Sequence, residues 1–172
     1  VNKRLLYDTI QMKRHPAALL SNDAQSCYDM IVHSIASMAL QRLGLPPGPV
    51  TCMLTTIQQF KHRVRTTFGD SEIQLQNKTP IPFQGICQGN GAGPTIWVAV
   101  STPLIEMMRA AEHGLAFETP LTGHKEKLIG FAFVDDTDLV EGNLSRTDFT
   151  IDNILDEMQQ AVDRWEGGVK AT

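Results

Sequence analysis

The sequence is poor in cysteine. It has three, Cys27, Cys52 and Cys87, and they form neither a CxxC pair nor a zinc-ligand pattern. That argues against a disulfide-stapled secreted scaffold and fits a reducing, intracellular compartment, nucleus or cytoplasm. Such cysteines are expected to be small core side chains. No apolar run is long enough to cross a bilayer, and neither an internal repeat nor a low-complexity tract is present. Positive charge is also short, because 15 Lys and Arg against 19 Asp and Glu leave a net charge of −4. A stand-alone nucleic-acid binder usually carries a basic face, so this balance counts against one. Basic clusters exist at Lys3-Arg4, Lys13-Arg14-His15 and Lys61-His62-Arg63-Val64-Arg65, and solvated faces explain them equally well. No signal peptide is visible, but the first residue is Val1 rather than Met, so the chain is expected to be an internal piece of a longer protein.

What is present is ordinary for a globular chain. Apolar residues make up 42% and charged residues 20%, and 172 residues suffice for one domain with a substantial core. Val1 to Lys13 is compatible with a helix that turns Leu5, Leu6, Ile10 and Met12 toward a core and is ended by Pro16. Residues 17–23 have the pattern of a short buried strand that delivers Asp23 at its end. Met30 to Leu43 keeps helical spacing through Ile31, Ile35, Met38, Ala39 and Leu43, and Gly44 and Pro46-Pro47 stop it. A second helix is expected from near Pro49, carrying Val50, Met53, Leu54, Ile57 and Phe60. Residues 62–68 and 72–76 alternate as strands about a turn at Gly69-Asp70-Ser71. A glycine-rich loop from Gln84 to Pro94 opens a helix from about Thr95 to Glu112. A loop follows, then the apolar run Leu128 to Val134, the pair Asp135-Asp136, and a second strand pattern from Thr137 to Val140. A last helix is expected from Asp148 to Trp165, its start acidic as suits a helix N-terminus. The sum is an α+β arrangement, an antiparallel sheet backed by helices on one face.

Phe133-Val134-Asp135-Asp136 is the most informative stretch. Two adjacent carboxylates at a tight hairpin turn repel each other unless a positive charge joins them. A divalent cation that prefers oxygen ligands is the natural candidate, although turn chemistry alone also explains two aspartates. Asp23 adds a third carboxylate at a strand end. It lies several residues too early to cap the Met30 helix, a task that suits Ser26 or Asp29 better. Asp138 has the look of a solvated strand residue. Phosphoryl and nucleotidyl transfer by two metal ions needs such acids on neighbouring strand ends, with the protein supplying position and electrostatic stabilisation.

Three segments together resemble the reverse transcriptases of retroelements. Asp23-Ala24-Gln25-Ser26-Cys27-Tyr28-Asp29 is similar to the family's motif A, a metal-binding Asp followed after four residues by an aromatic. Gly85 to Pro94 is similar to motif B, a Gln-Gly loop that leads through Pro into a helix. Phe133-Val134-Asp135-Asp136 is similar to motif C, an aromatic, any residue and two aspartates. They occur in the family's order, near residues 19–29, 84–94 and 131–138, and the resemblance spans roughly residues 17 to 168.

The resemblance implies one partial domain over residues 1–172. That domain would be a polymerase palm of ferredoxin-like βαββαβ type, with fingers and thumb largely missing. It implies that Asp23 and Asp135 ligate magnesium, or manganese as a substitute, with Asp136 in support. Tyr28 would lie under the sugar of the incoming nucleotide and reject a 2′-hydroxyl. Gln88 and Gly89 would lie against the template strand and the nucleotide pocket, where glycine lets backbone approach closely. Core packing for Tyr28, and plain loop chemistry for Gln88-Gly89, remain the alternatives. The implied partners are an RNA template, a DNA primer, deoxynucleotides and the rest of a polyprotein, with a possible endonuclease or integrase; no membrane is implied.

Viral RNA-dependent RNA polymerases are the nearest relatives to set aside. Their acid pair usually follows a glycine, and their motif A usually has Asp five residues after the metal ligand. Here those positions are Val134 and Tyr28, and both differences favour DNA synthesis. Three departures from the reverse transcriptase pattern stand out. Cys87 replaces the commoner Pro before Gln-Gly, and Asn90-Gly91-Ala92-Gly93 is unusually rich in glycine. The lysine of the family's next motif has only Lys170 as a candidate, and the chain is expected to end before it. Two other readings stay open: a catalytically retired palm kept as a binding or scaffold module, and an unrelated α+β domain with accidental motifs. An accidental set predicts that Asp23 lies far from the Asp135-Asp136 turn, beyond about two metal–oxygen bonds of roughly 2 Å each.

Overall fold

The computed structural model describes residues 2–24, 26–76, 83–119, 121–145 and 150–171. The fold is mixed α+β. Its described elements are, in order, α1 (Asn2–Lys13), β1 (Ala17–Asp23), α2 (His33–Arg42), α3 (Pro47–Gln58), β2 (Lys61–His62), β3 (Arg65–Thr66), β4 (Gly69–Asp70), β5 (Leu75–Gln76), α4 (Gly93–Ala110), β6 (Leu115–Glu118), β7 (Lys125–Leu128), β8 (Gly130–Phe133), β9 (Asp136–Asn143) and α5 (Ile151–Ala171). The chain divides into two compact units, one made of Val1–Gln25 with Ser101–Thr172 and one made of Ser26–Val100.

The first unit is organised around β9. Strand β1 covers one edge of it in an antiparallel register from Ala17↔Gly142 to Asp23↔Asp136. Two strands share the other edge. Strand β8 pairs antiparallel beside the turn, from Gly130↔Leu139 to Phe133↔Asp136, and β6 pairs parallel at Leu115↔Gly142 and Ala116↔Asn143. The sheet is therefore mixed rather than antiparallel. Strand β8 must oppose β9 as its hairpin partner. Strand β7 runs on toward β8, and β6 pairs antiparallel with β7, which leaves β6 parallel to β9. The sequence pattern expects only a loop where β6 and β7 lie, because Leu115-Ala116-Phe117-Glu118 is short and Lys125-Glu126-Lys127-Leu128 has no apolar alternation. Gly142 makes the crowded junction possible. Its φ is +149°, and a Cβ there would stand 2.9 Å from the Leu115 side chain and 3.2 Å from that of Ala17, one on each flanking strand.

Helices cover both faces of this sheet, not one. Ala17 to Leu20 is apolar at four successive positions, so alternation sends apolar side chains both ways and each face needs cover. Leu19 and Val140 pack with Leu6 and Ile10 of α1. Leu20 and Leu139 pack with Leu104 and Met108 of α4 and with Met158, Ala161 and Trp165 of α5. Helix α5 opens on a reciprocal cap: the Asn153 backbone N–H donates to Thr150 Oγ1 at 3.2 Å, and the Thr150 N–H donates to Asn153 Oδ1 at 3.2 Å. The expected start at Asp148 lies outside the described residues. The helix runs past Trp165 through Gly167-Gly168 to Ala171, held there because Gly168 faces Leu104 and Met107.

In the second unit, Ile31, Ala36 and Leu40 pack with Val50, Leu54 and Ile57 of α3, with Ile86, and with Ile96, Ala99 and Val100 of α4. Helix α2 starts at His33 rather than Met30; residues 26–30 form a separate turn, and the Tyr28 and Ile31 carbonyls accept from Ile86 and Gly85 of the loop before α4 rather than from the next helical turn. Its N-cap is Val32, so neither Ser26 nor Asp29 caps it. Helix α3 begins at Pro47, two residues before the expected start, with proline in a first turn that needs no N–H. The expected hairpin is two short ladders, β2–β5 and β3–β4, and its turn is Thr67-Phe68 rather than Gly69-Asp70-Ser71. Arg65 Nε and Nη2 donate to the Asp70 carboxylate at 2.7 and 3.1 Å, and the Ser71 N–H donates to the Val64 carbonyl; these bonds set the register. Of the cysteines only Cys27 is buried, Cys87 is half-buried and Cys52 is exposed on α3.

One buried carboxylate ties the first unit's elements together. Glu141 of β9 is 2% exposed. Its Oε1 lies 3.0 Å from His113 Nδ1 and its Oε2 accepts the Gly114 N–H at 3.0 Å, so it holds the turn between α4 and β6. Burial pushes its carboxyl up to about 7, with Glu157 adding to the rise and the Gly114 N–H and Lys127 opposing it. Burial, with Arg164 and Lys127, pushes the His113 imidazole below its ordinary value. A carboxyl raised on folding stabilises most below its unfolded value and loses that contribution as pH rises, here between about 4.5 and 7. His113 acts in the opposite sense, losing its contribution as pH falls below 6.5. Glu141→Gln keeps an acceptor for Gly114 and removes the first titration. The variant is expected to lose less stability than the parent between pH 5 and pH 7.5, as read by urea melts at several pH values. Glu141→Leu, which strands His113 and the Gly114 N–H, is expected to cost about 2 kcal/mol or more throughout.

Candidate active site

The backbone brings the three acids to one end of the first unit's sheet. Asp23 is the last residue of β1 and lies directly opposite Asp136, the first residue of β9. Directly opposed residues on antiparallel strands have Cα atoms about 4.5–5.5 Å apart and point to the same face. Asp135 lies in the two-residue turn Val134-Asp135, and its carbonyl accepts the Ala24 N–H at 3.0 Å, which extends the β1–β9 contact past the strand end. All three acids are exposed. Along the backbone, Asp23 therefore adjoins the acid pair.

The turn itself is strained. Val134 has a φ of +56° while Asp135 stays in the ordinary region, the pattern of a hairpin turn whose first central residue is normally glycine. A β-branched side chain there costs on the order of 1–3 kcal/mol and persists only where the flanking ladders enforce it.

A cation stands on the same face. Asp138 follows Asp136 by two residues and shares its side of β9. Lys3 Nζ of α1 reaches its carboxylate at 2.7 and 2.8 Å, and the Ser21 hydroxyl donates to it as well. Asp138 is thus an ion-paired, half-buried residue and not a solvated one. Burial pushes its carboxyl up, but the hydrogen bonds from Lys3 and Ser21 and the Lys3 charge outweigh that and hold it below its ordinary value. Lys3 in turn is raised, first by its hydrogen bond to Asp138 and also by the charges of Asp138, Tyr7 and Asp136. Sequence spacing pointed to neither partner, since the two are 135 residues apart.

Tyr28, Gln88 and Gly89 belong to the second unit. Tyr28 is half-buried against that unit's core, and a Cβ at Gly93 would meet its ring at 3.6 Å. Gln88 and Gly89 are exposed in a turn of the loop before α4. The loop is tied to the segment after Tyr28 by backbone bonds: the Gly85 N–H donates to the Ile31 carbonyl and the Ile86 N–H to the Tyr28 carbonyl, each at 2.8 Å. Gly85 is indispensable here. Its φ is +83°, and a Cβ would stand 2.7 Å from the Asp29 carbonyl oxygen. Gln25, within the first of the three motifs, lies outside the described residues. Lys170 sits on α5 and pairs with Glu166 at 2.5 Å.

Hard carboxylate oxygens are the donors that magnesium takes, and the backbone brings three of them to one end of two paired strands. The fit is one of donor chemistry and backbone placement. Among the described residues, no three His, Cys, Asp or Glu side chains converge as they stand, so an ion shared by Asp23, Asp135 and Asp136 requires their rotamers to turn inward. No described helix is long and apolar enough to cross a membrane. No protein-family model matches this sequence, and no curated protein matches it either.

Glycine relieves the backbone strain at Val134 but loosens the unfolded chain by about 0.4–1 kcal/mol. Val134→Gly is therefore expected to raise stability by about 1 kcal/mol, seen as a higher melting temperature. A lower melting temperature would mean that Val134 side-chain contacts outweigh the turn strain.

Proposed function

We propose that this chain is the palm portion of a retroelement-type reverse transcriptase, an RNA-directed DNA polymerase that adds deoxynucleotides to a primer 3′-hydroxyl on an RNA template. The observation that carries the reading is the register Asp23↔Asp136, with Asp135 in the adjoining turn. It brings two motifs that are more than a hundred residues apart in sequence side by side at one end of a strand pair, which supports a shared metal site. Asp23 and Asp135 would hold magnesium, or manganese in its place, with Asp136 in support. The bound ion would stabilise charge on the attacking and leaving oxygens. Tyr28 would select against the 2′-hydroxyl, and Gln88-Gly89 would lie along the template and nucleotide. The net charge of −4 fits a palm whose basic grip on nucleic acid is supplied by fingers and thumb elsewhere in a longer protein.

The test is primer extension on an RNA template with deoxynucleotides and magnesium, using the protein expressed from its whole reading frame. The double variant Asp135→Asn/Asp136→Asn is expected to lose synthesis altogether. Its stability should be unchanged or slightly higher, because like charges no longer adjoin. Tyr28→Ala is expected to lower the preference for deoxynucleotides over ribonucleotides by about tenfold or more. An unchanged preference would remove Tyr28 from the nucleotide site.

A second reading has its own support. The carboxylates do not converge as they stand, and Lys3 already supplies positive charge on their face. A palm retired from catalysis and kept for binding would look the same. It predicts no specific magnesium or manganese binding, so a titration followed at the Asp23, Asp135 and Asp136 amides separates the two.

A further inference from the structure

His33 is buried at the start of α2, 4% exposed, and every polar atom it offers is engaged. Its Nε2 lies 2.6 Å from the Gly85 carbonyl oxygen, which can only accept, so Nε2 carries the ring proton. Its Nδ1 lies 2.9 Å from the Gln58 amide nitrogen, which donates to it. Its backbone N–H donates to Gln84 Oε1 at 2.8 Å. That last bond replaces a missing cap: Val32 has no side-chain oxygen, and the Gln84 side chain satisfies the first orphan N–H of α2. The residues on either side of the Gln84–Gly85 peptide are thus both bound to one histidine, and the next two backbone bonds, Gly85 to Ile31 and Ile86 to Tyr28, continue the seam.

We propose that His33 is a positioning residue, whose ring and N–H clamp the Gln84–Ile86 stretch onto the Tyr28–Ile31 segment so that Tyr28 and Gln88-Gly89 are held as one preset unit. A buried histidine serving only the core would pack against side chains and share one hydrogen bond. This one binds a single loop twice, at the Gln84 side chain and at the Gly85 backbone, and is itself held by Gln58 of α3. The loop needs such a clamp. It is rich in glycine from Gly85 to Gly93, and Cys87 next to the clamp holds a φ of +60°, which a free chain would abandon. The nucleotide-facing part of the proposal rests on the reverse transcriptase reading above; the clamp itself does not.

Amide hydrogen exchange in the full chain tests the clamp without any activity. His33→Phe keeps the ring's bulk and removes its donor. It is expected to speed exchange at Gly85 and Ile86 by about tenfold while leaving the Val140 amide, bonded to Ile129 in the first unit, unmoved. His33→Gln can present an amide N–H where Nε2 stands and is expected to restore protection at both. Equal protection in His33→Phe and the parent, or no rescue by His33→Gln, would overturn the proposal. So would equal loss of protection at Val140. Should His33→Phe fail to fold, Gln58→Leu and Gln84→Ala replace it, each expected to speed exchange at Gly85 and Ile86 by roughly threefold to tenfold, the loss of one hydrogen bond. In primer extension His33→Phe is expected to raise KM for deoxynucleotides about tenfold at little cost in kcat, and His33→Gln to recover it. Absence of synthesis in the parent falls on the polymerase reading alone, since the exchange pattern decides the clamp.

Discussion

The pairing of β1 with β9 is the constraint on which the first unit depends. Along it every side chain has an assigned face, because strand periodicity is two and a slip by one residue exchanges the faces. In the observed register Leu20 and Leu139 reach the core under α4 and α5, while Leu19 and Val140 reach the core under α1. The same register sets Asp23 against Asp136 and Ser21 against Asp138. Apolar burial at roughly 1.5–3 kcal/mol per large side chain holds the ladder. The acid end is carried by it, repulsive charges included.

The two units solve different problems with different means. In the first, a sheet between two apolar layers imposes a strained turn and a like-charged pair on residues that would not choose them. In the second, a loop of high backbone entropy is fastened to a helix start by directed hydrogen bonds. Gly85 permits the approach, Gln84 caps the helix and His33 fixes the carbonyl. Rigidity comes from packing in one and from bonding in the other. Within the first unit charge is paired on the sheet and at the turn. Lys3 and Asp138 offset each other on the sheet face, and Glu141 with His113 forms a nearly dry pair at the turn behind it.

Much of this was legible from spacing. The β1 strand from Ala17 to Asp23, the α2 and α4 helices, and the hairpin that carries the acid pair all follow from periodicity and breakers close to where the sequence pattern puts them. What escaped has physical reasons. The β6–β7 hairpin carries no apolar alternation because Lys125, Glu126 and Lys127 face solvent. The parallel pairing of β6 with β9 is a consequence of topology, invisible to any local window. Helix α2 starts late because the Tyr28 and Ile31 carbonyls before it are taken by the distant Ile86 and Gly85 N–H groups. The acids themselves could be named from their motifs, but Lys3, Asp138, Glu141 and His33 could not. Each owes its role to a partner between 25 and 135 residues away, and no pattern of residue types announces such a partner.

The ladder and the β2–β5 hairpin region differ in how they tolerate change of length. Between Ala17 and Asp23, or between Asp136 and Gly142, a single inserted or deleted residue would send half the core into water and scatter the carboxylates. At the Thr67-Phe68 tip nothing comparable is at stake. Phe68 is fully exposed, the ladders beside it are two residues long, and doubling a loop costs only about 0.6 kcal/mol. Such a tip can therefore take added or lost residues, which would change the distance along the chain between Asp23 and Asp135 while the ladder keeps their backbones side by side.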